Sequence, residues 1–269
     1  MSIESNPLIS VVMSVYNGGD YLSSAIESIL KQSYSNFEFV IVNDGSTDDS
    51  LSVITNYMEL DSRIVLVDQN NMGLTKSLNK AIGMSRGAYI ARQDADDESL
   101  PFRLERQLAC TQANKLDLLT SRAFKNMQVV PNLLMLNLRK ESCLKAGNVF
   151  IHGTFFGPRS TFVKVRYNER YVYAQDFKFI LDCIYNGLNI GYDPEATYIL
   201  NDIESNISNR KSKQQKEHVY MSLIEHFGSD RLFRILCRFN GLSLKVIKIS
   251  AMIILNFSRG RNAFNVIKK

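Results

Sequence analysis

The chain has 269 residues with 45% hydrophobic side chains, enough for one large α/β domain or for one domain with an appendage. Four scattered cysteines without CxxC spacing, and no recognisable N-terminal signal peptide, disfavour a disulfide framework and favour a reducing cytosol. Nine of the 32 basic residues and none of the 27 acidic ones follow residue 230, so the net charge of +5 combines a mildly acidic body with a strongly basic tail.

The first part of the chain alternates apolar, β-branched runs with segments of helical periodicity. Four strands are predicted, at residues 9–15, 37–42, 64–67 and 88–93. Segments with apolar residues three and four apart lie between them and predict helices. Strands that alternate with helices are typical of βαβ units, and continuous apolar runs are typical of parallel strands covered on both faces. The sequence therefore predicts an α/β fold with a Rossmann-like, mostly parallel central sheet flanked by helices.

Polar side chains directly follow three of these strands. Tyr16 and Asn17 follow the first strand, Asn43 and Asp44 the second, and Asp94–Asp97 the fourth. Ligands of such sheets bind beyond the carboxyl ends of the strands, so we expect these clusters to converge. The three carboxylates of the last cluster raise each other's pKa unless a cation neutralises them. Mg²⁺ or Mn²⁺, held by one or two carboxylates and substrate phosphates, is the natural partner.

Other interpretations of these residues remain open at this point. The acids from Asp94 onward have the spacing of an EF-hand calcium loop, but Ser99 replaces its glycine and a strand precedes it, so we rank that interpretation far lower. Asp44 also suits a turn or a helix cap. Phosphate would be contacted by the metal and by Arg92 or Lys76, although Arg92 is equally suited to an ion pair with the acids. No GxGxxG or P-loop pattern is present, which disfavours a dinucleotide cofactor and a P-loop NTPase.

Beyond Pro101 the elements follow a less regular pattern. His152 falls on a predicted strand, and Asp176 begins a helix that ends near Gly187, a position that also suits a capping acid. The predicted elements here are a helix to about 114, a strand at 116–120, a helix at 133–144, strands at 150–156, 188–192 and 197–200, and a polar loop at 205–215.

The basic tail contains an apolar segment at 243–257 (SLKVIKISAMIILNF) with Lys245 and Lys248 inside it. Its longest uncharged stretch is too short to span a bilayer, which needs about 20 apolar residues. As a helix it would either lie in the membrane interface with its bases on anionic headgroups, or pack on the body of the protein. The bases alternate with aliphatic rather than stacking aromatic residues, so no nucleic-acid partner is expected.

Together these residues resemble the family 2 glycosyltransferases of the GT-A fold, in particular bacterial enzymes of O-antigen and capsule synthesis. The resemblance is close over residues 8–107, which include VNDGSTDDS and RQDADDESLPFRLERQ. It is looser over about 150–200, where YAQDFKFIL is the matching stretch. It implies a nucleotide-diphosphate-sugar donor, usually UDP-linked, and inversion at the anomeric carbon.

The resemblance also implies roles for individual residues near the donor. Tyr16, Asn17 and Asp44 match the family's nucleoside-binding positions. Asp94 and Asp96 match its DxD motif, with Asp96 the expected direct ligand of Mn²⁺ or Mg²⁺.

On the acceptor side the resemblance is less complete. Asp176 matches the acid of the family's "ED" pair, the catalytic base, and Gln175 replaces the usual Glu. His152 matches the histidine of a His-Pro pair, although Gly153 follows it here, and its acceptor-binding role is carried over on that match.

The resulting expectation is a metal-dependent, inverting glycosyltransferase. It would move a hexose or N-acetylhexosamine from UDP to an undecaprenyl-diphosphate-linked saccharide, on the cytoplasmic face of a bacterial plasma membrane. Residues 1–203 would form the catalytic domain, with 1–107 binding the donor and 108–203 the acceptor, and 204–269 a helical basic appendage. The alternatives are a nucleotidyltransferase that makes nucleotide sugars, disfavoured because Asp20 replaces the basic residue of a phosphate loop, and a non-catalytic nucleic-acid or anionic-surface binder.

Overall fold

One ten-stranded sheet organises the part of the chain that the computed structural model describes, residues 6–131, 150–201, 212–227 and 264–266. The strands are β1 (Ile9–Val15), β2 (Phe37–Asp44), β3 (Ile64–Gln69), β4 (Tyr89–Arg92), β5 (Glu98–Ser99), β6 (Leu118–Lys125), β7 (Gln128–Val130), β8 (Phe156–Pro158), β9 (Ile190–Leu200) and β10 (Phe264–Val266). The helices are α1 (Leu22–Leu30), α2 (Ser50–Leu60), α3 (Leu74–Met84), α4 (Arg103–Ala113), α5 (Arg159–Val165), α6 (Gln175–Tyr185) and α7 (Ser212–Phe227). Short 3-10 turns occupy Gly19–Tyr21 and His152–Thr154.

The sheet is mostly parallel, as the sequence predicts. Its order is β10-β9-β6-β8-β4-β1-β2-β3, with β5 added to β9 and β7 to β6. Strands β4, β1, β2 and β3 are mutually parallel, and β8 runs antiparallel between β4 and β6. The four parallel strands therefore end at the same edge.

Both faces of the parallel half are covered, which explains the continuous apolar runs. Val11 and Met13 of β1 pack with α1 and α4 on one face, whereas Val12 packs with α3 and α6 on the other. All three side chains are almost completely buried. The apolar faces of α1 and α3 thus pack on a sheet whose centre is covered on both sides.

The predicted strand at 150–156 is wrong, because His152–Thr154 forms a 3-10 turn and β8 begins only at Phe156. A Cβ atom on Gly153 would collide with the Tyr198 phenol, so the chain wraps closely around that ring. The Thr154 hydroxyl donates to Ile151 O at 2.8 Å and closes the turn. This tertiary packing overrides the local β propensity.

The two short strands predicted at 188–192 and 197–200 are one strand, β9. Pro194 and Glu195 bulge out where the register against β6 shifts, so the gap between the two predicted strands is an interruption within one strand. Residues 212–215, predicted as loop, begin α7. The predicted helices at 133–144 and 243–257, and the loop at 205–211, lie outside the described residues.

The buried carboxylate of Glu38, on β2, joins β1 and β2 to the loop before β4. Glu38 is 3% exposed and accepts hydrogen bonds from Ser10 Oγ (2.6 Å), Arg86 N (2.6 Å) and Arg86 Nε (2.7 Å). Burial raises the pKa of Glu38, but these hydrogen bonds and the Arg86 charge lower it by more, so that pKa lies below its usual value. The ionised form of Glu38 therefore stabilises the fold.

We expect Glu38→Gln to lower the free energy of unfolding by about 1–3 kcal/mol at neutral pH, because an amide group would face Arg86 Nε. A lowered folded-state pKa means that this stabilisation is present above the unfolded-state pKa and is lost as the pH falls through the folded-state pKa. Urea unfolding at neutral and acidic pH should show the difference from wild type closing in acid. Glu27→Gln, which removes an exposed pair with Lys31, is the control and should change nothing measurable. If the difference in unfolding free energy between Glu38→Gln and wild type did not depend on pH, the stabilising role of ionised Glu38 would be contradicted.

Candidate functional site

The structure brings the three polar clusters to one edge of the sheet. Val15 at the end of β1 is paired with Asn43 of β2, and Val12 is paired with Arg92 at the end of β4. The loops that begin at Tyr16, Gly45 and Gln93 therefore leave the sheet side by side. The convergence predicted from parallel strands is present in the fold.

Asn17 joins the loop after β1 to the loop after β2. Its backbone has φ 54°, in the left-handed region that asparagine tolerates better than most residues. Its Oδ1 accepts from Thr47 N at 2.8 Å, and its own N–H donates to Ser46 Oγ at 3.0 Å. This bracing leaves the neighbouring Tyr16 ring 54% exposed at the sheet edge.

Asp44 has a structural task that sequence analysis did not predict. The residue is only 1% exposed, and its Oδ1 accepts from Gln69 Nε2 and Met72 N, each at 2.8 Å. Its Oδ2 accepts from Gly73 N, also at 2.8 Å. Both oxygens thus hold the loop that enters α3, and contact with a base or ribose stays a prediction.

The acid turn, Asp94–Asp97, follows β4. Asp94 Oδ1 forms an ion pair with Arg92 Nη2 at 2.5 Å, and Asp94 N donates to the Tyr198 hydroxyl at 2.9 Å. Asn201 closes the other end, where its N–H donates to Asp97 Oδ1 at 3.0 Å and its side-chain amide donates to Asp96 O at 2.9 Å. The end of β9 therefore fixes the turn.

The acid turn concentrates negative charge that Arg92 neutralises only in part. Burial, and then repulsion from Asp94, raises the pKa of Asp96 to about 6. Burial, followed by repulsion from Asp94 and Asp96, raises the pKa of Asp97 to about 8. Such shifts are expected where a cation belongs.

The donor set of this turn fits a hard divalent cation. Asp94 and Asp96 are partly exposed carboxylates, the oxygen ligands that Mg²⁺ and Mn²⁺ prefer. Among the described residues, no cluster of three or more His, Cys, Asp or Glu side chains could enclose a metal ion by itself.

Arg92 is the strongest positive group beside the acids. Its side chain is 1% exposed, and its ion pair with Asp94 is one of the two roles that the sequence left open. Within the described part of the chain, its Nε and Nη1 groups have no hydrogen-bond partner. Lys76, the other candidate for phosphate contact, is exposed on α3.

A second group of polar side chains, His152, Tyr167 and Asp176, lies within electrostatic range of Arg92 or of one another. His152 Nε2 is 2.8 Å from the Tyr167 hydroxyl, and burial together with the Arg92 charge keeps the pKa of His152 well below its usual value. The charges of Arg92, Asp176 and Asp94 all act on the Tyr167 phenol, whose pKa burial raises. These groups therefore share one electrostatic neighbourhood.

Asp176 is the second residue of α6, as the sequence predicts for a helix-starting acid. Its Oδ1 accepts from Phe177 N at 2.7 Å. Gln175 begins the helix and Ala174 before it has a left-handed backbone. This turn presents Asp176 at the start of the helix, half-buried.

Helix α7 packs on the helix that carries Asp176. Glu225 accepts from the Tyr171 hydroxyl at 2.7 Å and lies 3.5 Å from Lys178 Nζ. The His218 ring contacts Tyr171 and Tyr173 edge-on. None of the helices in the described ranges is long and apolar enough to cross a membrane.

Sequence analysis missed the residues that support the acid turn from behind. Tyr198 and Asn201 lie more than 100 positions from the turn and carry no local signal. Arg103 and Gln93 are completely buried polar residues. The sequence did offer one signal for Arg103, because it is a charged residue that begins α4 shortly after the acid turn.

The strand order, with the acid turn after β4, is that of an α/β class, the GT-A fold. The chain shares this fold with TarS of Staphylococcus aureus in complex with UDP-GlcNAc (19% identity, TM-score 0.68, covering 93% of this chain and 73% of that one). It also shares it with the mannosyltransferase PcManGT of Pyrobaculum calidifontis in complex with GDP-Man and Mn²⁺ (17% identity, TM-score 0.67, 94% and 71%).

The sequence comparisons identify the family. The model of Glycosyl transferase family 2 matches residues 10–171. An uncharacterised glycosyltransferase of Methanocaldococcus jannaschii is 32% identical over 240 residues, 84% of this chain and 82% of that protein. The O-antigen biosynthesis glycosyltransferase WbnJ of Escherichia coli is 30% identical over 217 residues, 79% and 85%. The chain belongs to glycosyltransferase family 2, which confirms the predicted family and fold and decides against the two alternatives.

Proposed function

We propose that this glycosyltransferase moves a hexose or N-acetylhexosamine from UDP to a lipid-linked saccharide, with inversion at the anomeric carbon. The observation that carries the proposal is the convergence of the loops after β1, β2 and β4 on one sheet edge, together with the Tyr167 phenol, on which the charges of both Asp94 and Asp176 act. TarS in complex with UDP-GlcNAc supports the donor class, and WbnJ supports a role in surface polysaccharide synthesis.

The donor side of the reaction uses the first three loops. Tyr16 would stack on the base, and Asn17 and Asp44 would contact the nucleoside or hold the loops that do. Asp96, together with Asp94, would hold Mn²⁺ or Mg²⁺. When bound, the cation would neutralise the charge that grows on the diphosphate leaving group. The unpartnered N–H groups of Arg92 lie behind these acids and would add positive potential there.

The acceptor side uses Asp176 as the general base, with His152 contributing to acceptor binding. The carboxylate of Asp176 takes the proton of the acceptor hydroxyl, and that oxygen bonds to the anomeric carbon on the face opposite the diphosphate. The bond from that carbon to the diphosphate breaks, and UDP carries away the electron pair. The sugar passes through an oxocarbenium-like transition state, and one displacement inverts the centre.

We expect Asp96→Ala to lose metal-dependent UDP binding, because the turn would keep only one accessible carboxylate for the cation. Calorimetric titration of UDP with Mn²⁺ measures the loss, and EDTA should abolish transfer by the wild type. Glu98→Ala, which removes an acid just beyond the acid turn, is the matched control and should bind normally. Full transfer activity in EDTA would refute metal dependence.

Asp176→Asn should fold and bind UDP with Mn²⁺ like the wild type, since the substitution preserves shape and Asp176 is not one of the proposed metal ligands. Its transfer rate should fall about 10²–10⁴-fold, the usual contribution of a positioned base. Single-turnover assays with UDP-sugar donors and a lipid-linked acceptor mimic measure the rate. A loss of only a few-fold would place the base elsewhere. Glu169, whose carboxylate accepts from Asn79 Nδ2 at 3.1 Å, would then be tested.

A lipid-linked acceptor requires the enzyme to reach a membrane surface, and we propose that the basic tail provides this contact on the cytoplasmic face. Each base near an anionic surface contributes about 1 kcal/mol, so Lys245→Gln/Lys248→Gln should weaken binding to phosphatidylglycerol-rich liposomes about 30-fold. Lys31→Gln/Lys80→Gln removes the same charge from the exposed body and serves as the control. Equal weakening by both pairs, measured by flotation, would argue against a specific tail contact.

A further inference from the structure

Gln93, between β4 and the acid turn, makes every hydrogen bond that an amide side chain can make. It is completely buried, and its Nε2 donates to Asp94 O at 3.0 Å and to Asp97 O at 2.8 Å. Its Oε1 accepts from Ser99 Oγ at 2.7 Å and from Arg103 Nη1 at 3.0 Å. The two donor bonds clamp the first and last carbonyl groups of the turn from inside the protein.

Arg103 lies behind Gln93 and is also completely buried. A guanidinium has five N–H donors, and each of the five has an acceptor here. The acceptors are Gln93 Oε1, Ser99 Oγ, Gln107 Oε1, Arg92 O and Gly153 O. None of them is a carboxylate, and burial lowers the pKa of Arg103 only to about 10, so the group stays charged at neutral pH.

The same network reaches the turn that carries His152. Arg103 Nη2 donates to Gly153 O at 2.8 Å, and Gln107 Nε2 donates to Thr154 O at 2.8 Å. The Tyr198 ring lies under the guanidinium, 5.1 Å from Cζ, and its hydroxyl accepts from Asp94 N. One buried cation thus fixes the acid turn relative to the candidate acceptor side.

We propose that Gln93 and Arg103 are positioning residues that hold the acid turn in its metal-binding shape, Gln93 by direct contact and Arg103 through Gln93. This inference rests on the proposed function for the metal site, and it adds two residues that touch neither substrate nor cation. A network in which every donor and acceptor is satisfied has one stable arrangement, which suits a turn whose carboxylates repel each other.

The test replaces Gln93 by methionine, which has a similar length and no donor. Gln32→Met is the matched control, because Gln32 is also buried and its amide bonds Ser28 O, Leu100 O and Leu104 N without contacting the acid turn. Amide hydrogen exchange of residues 94–98 is measured in metal-free protein, and Mn²⁺ affinity is measured by electron paramagnetic resonance with UDP present. Thermal unfolding records stability for both variants.

We expect Gln93→Met to speed exchange across 94–98 and to weaken Mn²⁺ binding on the order of 10–100-fold, as loss of an outer-shell partner does. Gln32→Met should lower thermal stability to a similar degree but change neither the exchange of residues 94–98 nor the affinity for Mn²⁺. Arg103→Lys, with three donors instead of five, should give the same two effects more weakly, and it replaces Gln93→Met if that variant does not fold.

Unchanged exchange and Mn²⁺ affinity in a folded Gln93→Met protein would overturn the inference, and so would equal effects of Gln32→Met. A wild type that binds no Mn²⁺ would refute the proposed metal site instead. The comparison of exchange rates in metal-free protein would then decide the positioning role alone.

Discussion

Carboxylates gathered at the end of a buried strand are the constraint on which the rest of this site depends. Strand β4 brings Asp94, Asp96 and Asp97 to a place where solvent screens them poorly, and one arginine, Arg92, forms an ion pair with one of them. Burial, and after it repulsion between the acids, raises the pKa values of Asp96 and Asp97 in the folded protein. Repulsion of this kind costs stability, and a cation that relieves it binds more tightly for the same reason.

The loops around the acids are braced by the polar side chains that sequence analysis assigned to ligand binding. Asn17 holds the loop after β2, and Asp44 holds the loop that enters α3, in each case through short hydrogen bonds to backbone N–H groups. A side chain can serve both tasks when its remaining surface faces the ligand, as the exposed Tyr16 ring beside Asn17 does. Loops fixed in advance lose less conformational entropy when a ligand binds.

Much of this architecture follows from local sequence. Apolar runs and helical spacing predict β1–β4 and α1–α3 within a few residues, and the parallel order predicts that Asp44 and Asp94 share an edge. The turn at His152 was not predictable, because it depends on the Tyr198 ring packing against Gly153 from a distant strand. The same holds for Asn201, which closes the acid turn across 104 positions. Local sequence patterns predict the helices and strands, whereas contacts between distant residues decide which polar groups are buried and paired.

The hydrogen-bond acceptors of Arg103 among the described residues include no carboxylate, and this has a physical reason. An acid at position 93 would neutralise the guanidinium, but it would add a fourth negative charge directly behind the acid turn and would remove both donors that clamp Asp94 O and Asp97 O. The neutral Gln93 amide instead accepts from the cation on one side and donates to the turn on the other. Its dipole thereby orients positive potential toward the carboxylates without forming an ion pair with them. A buried arginine satisfied by neutral acceptors is therefore compatible with a turn that keeps its negative charge for the proposed metal ion.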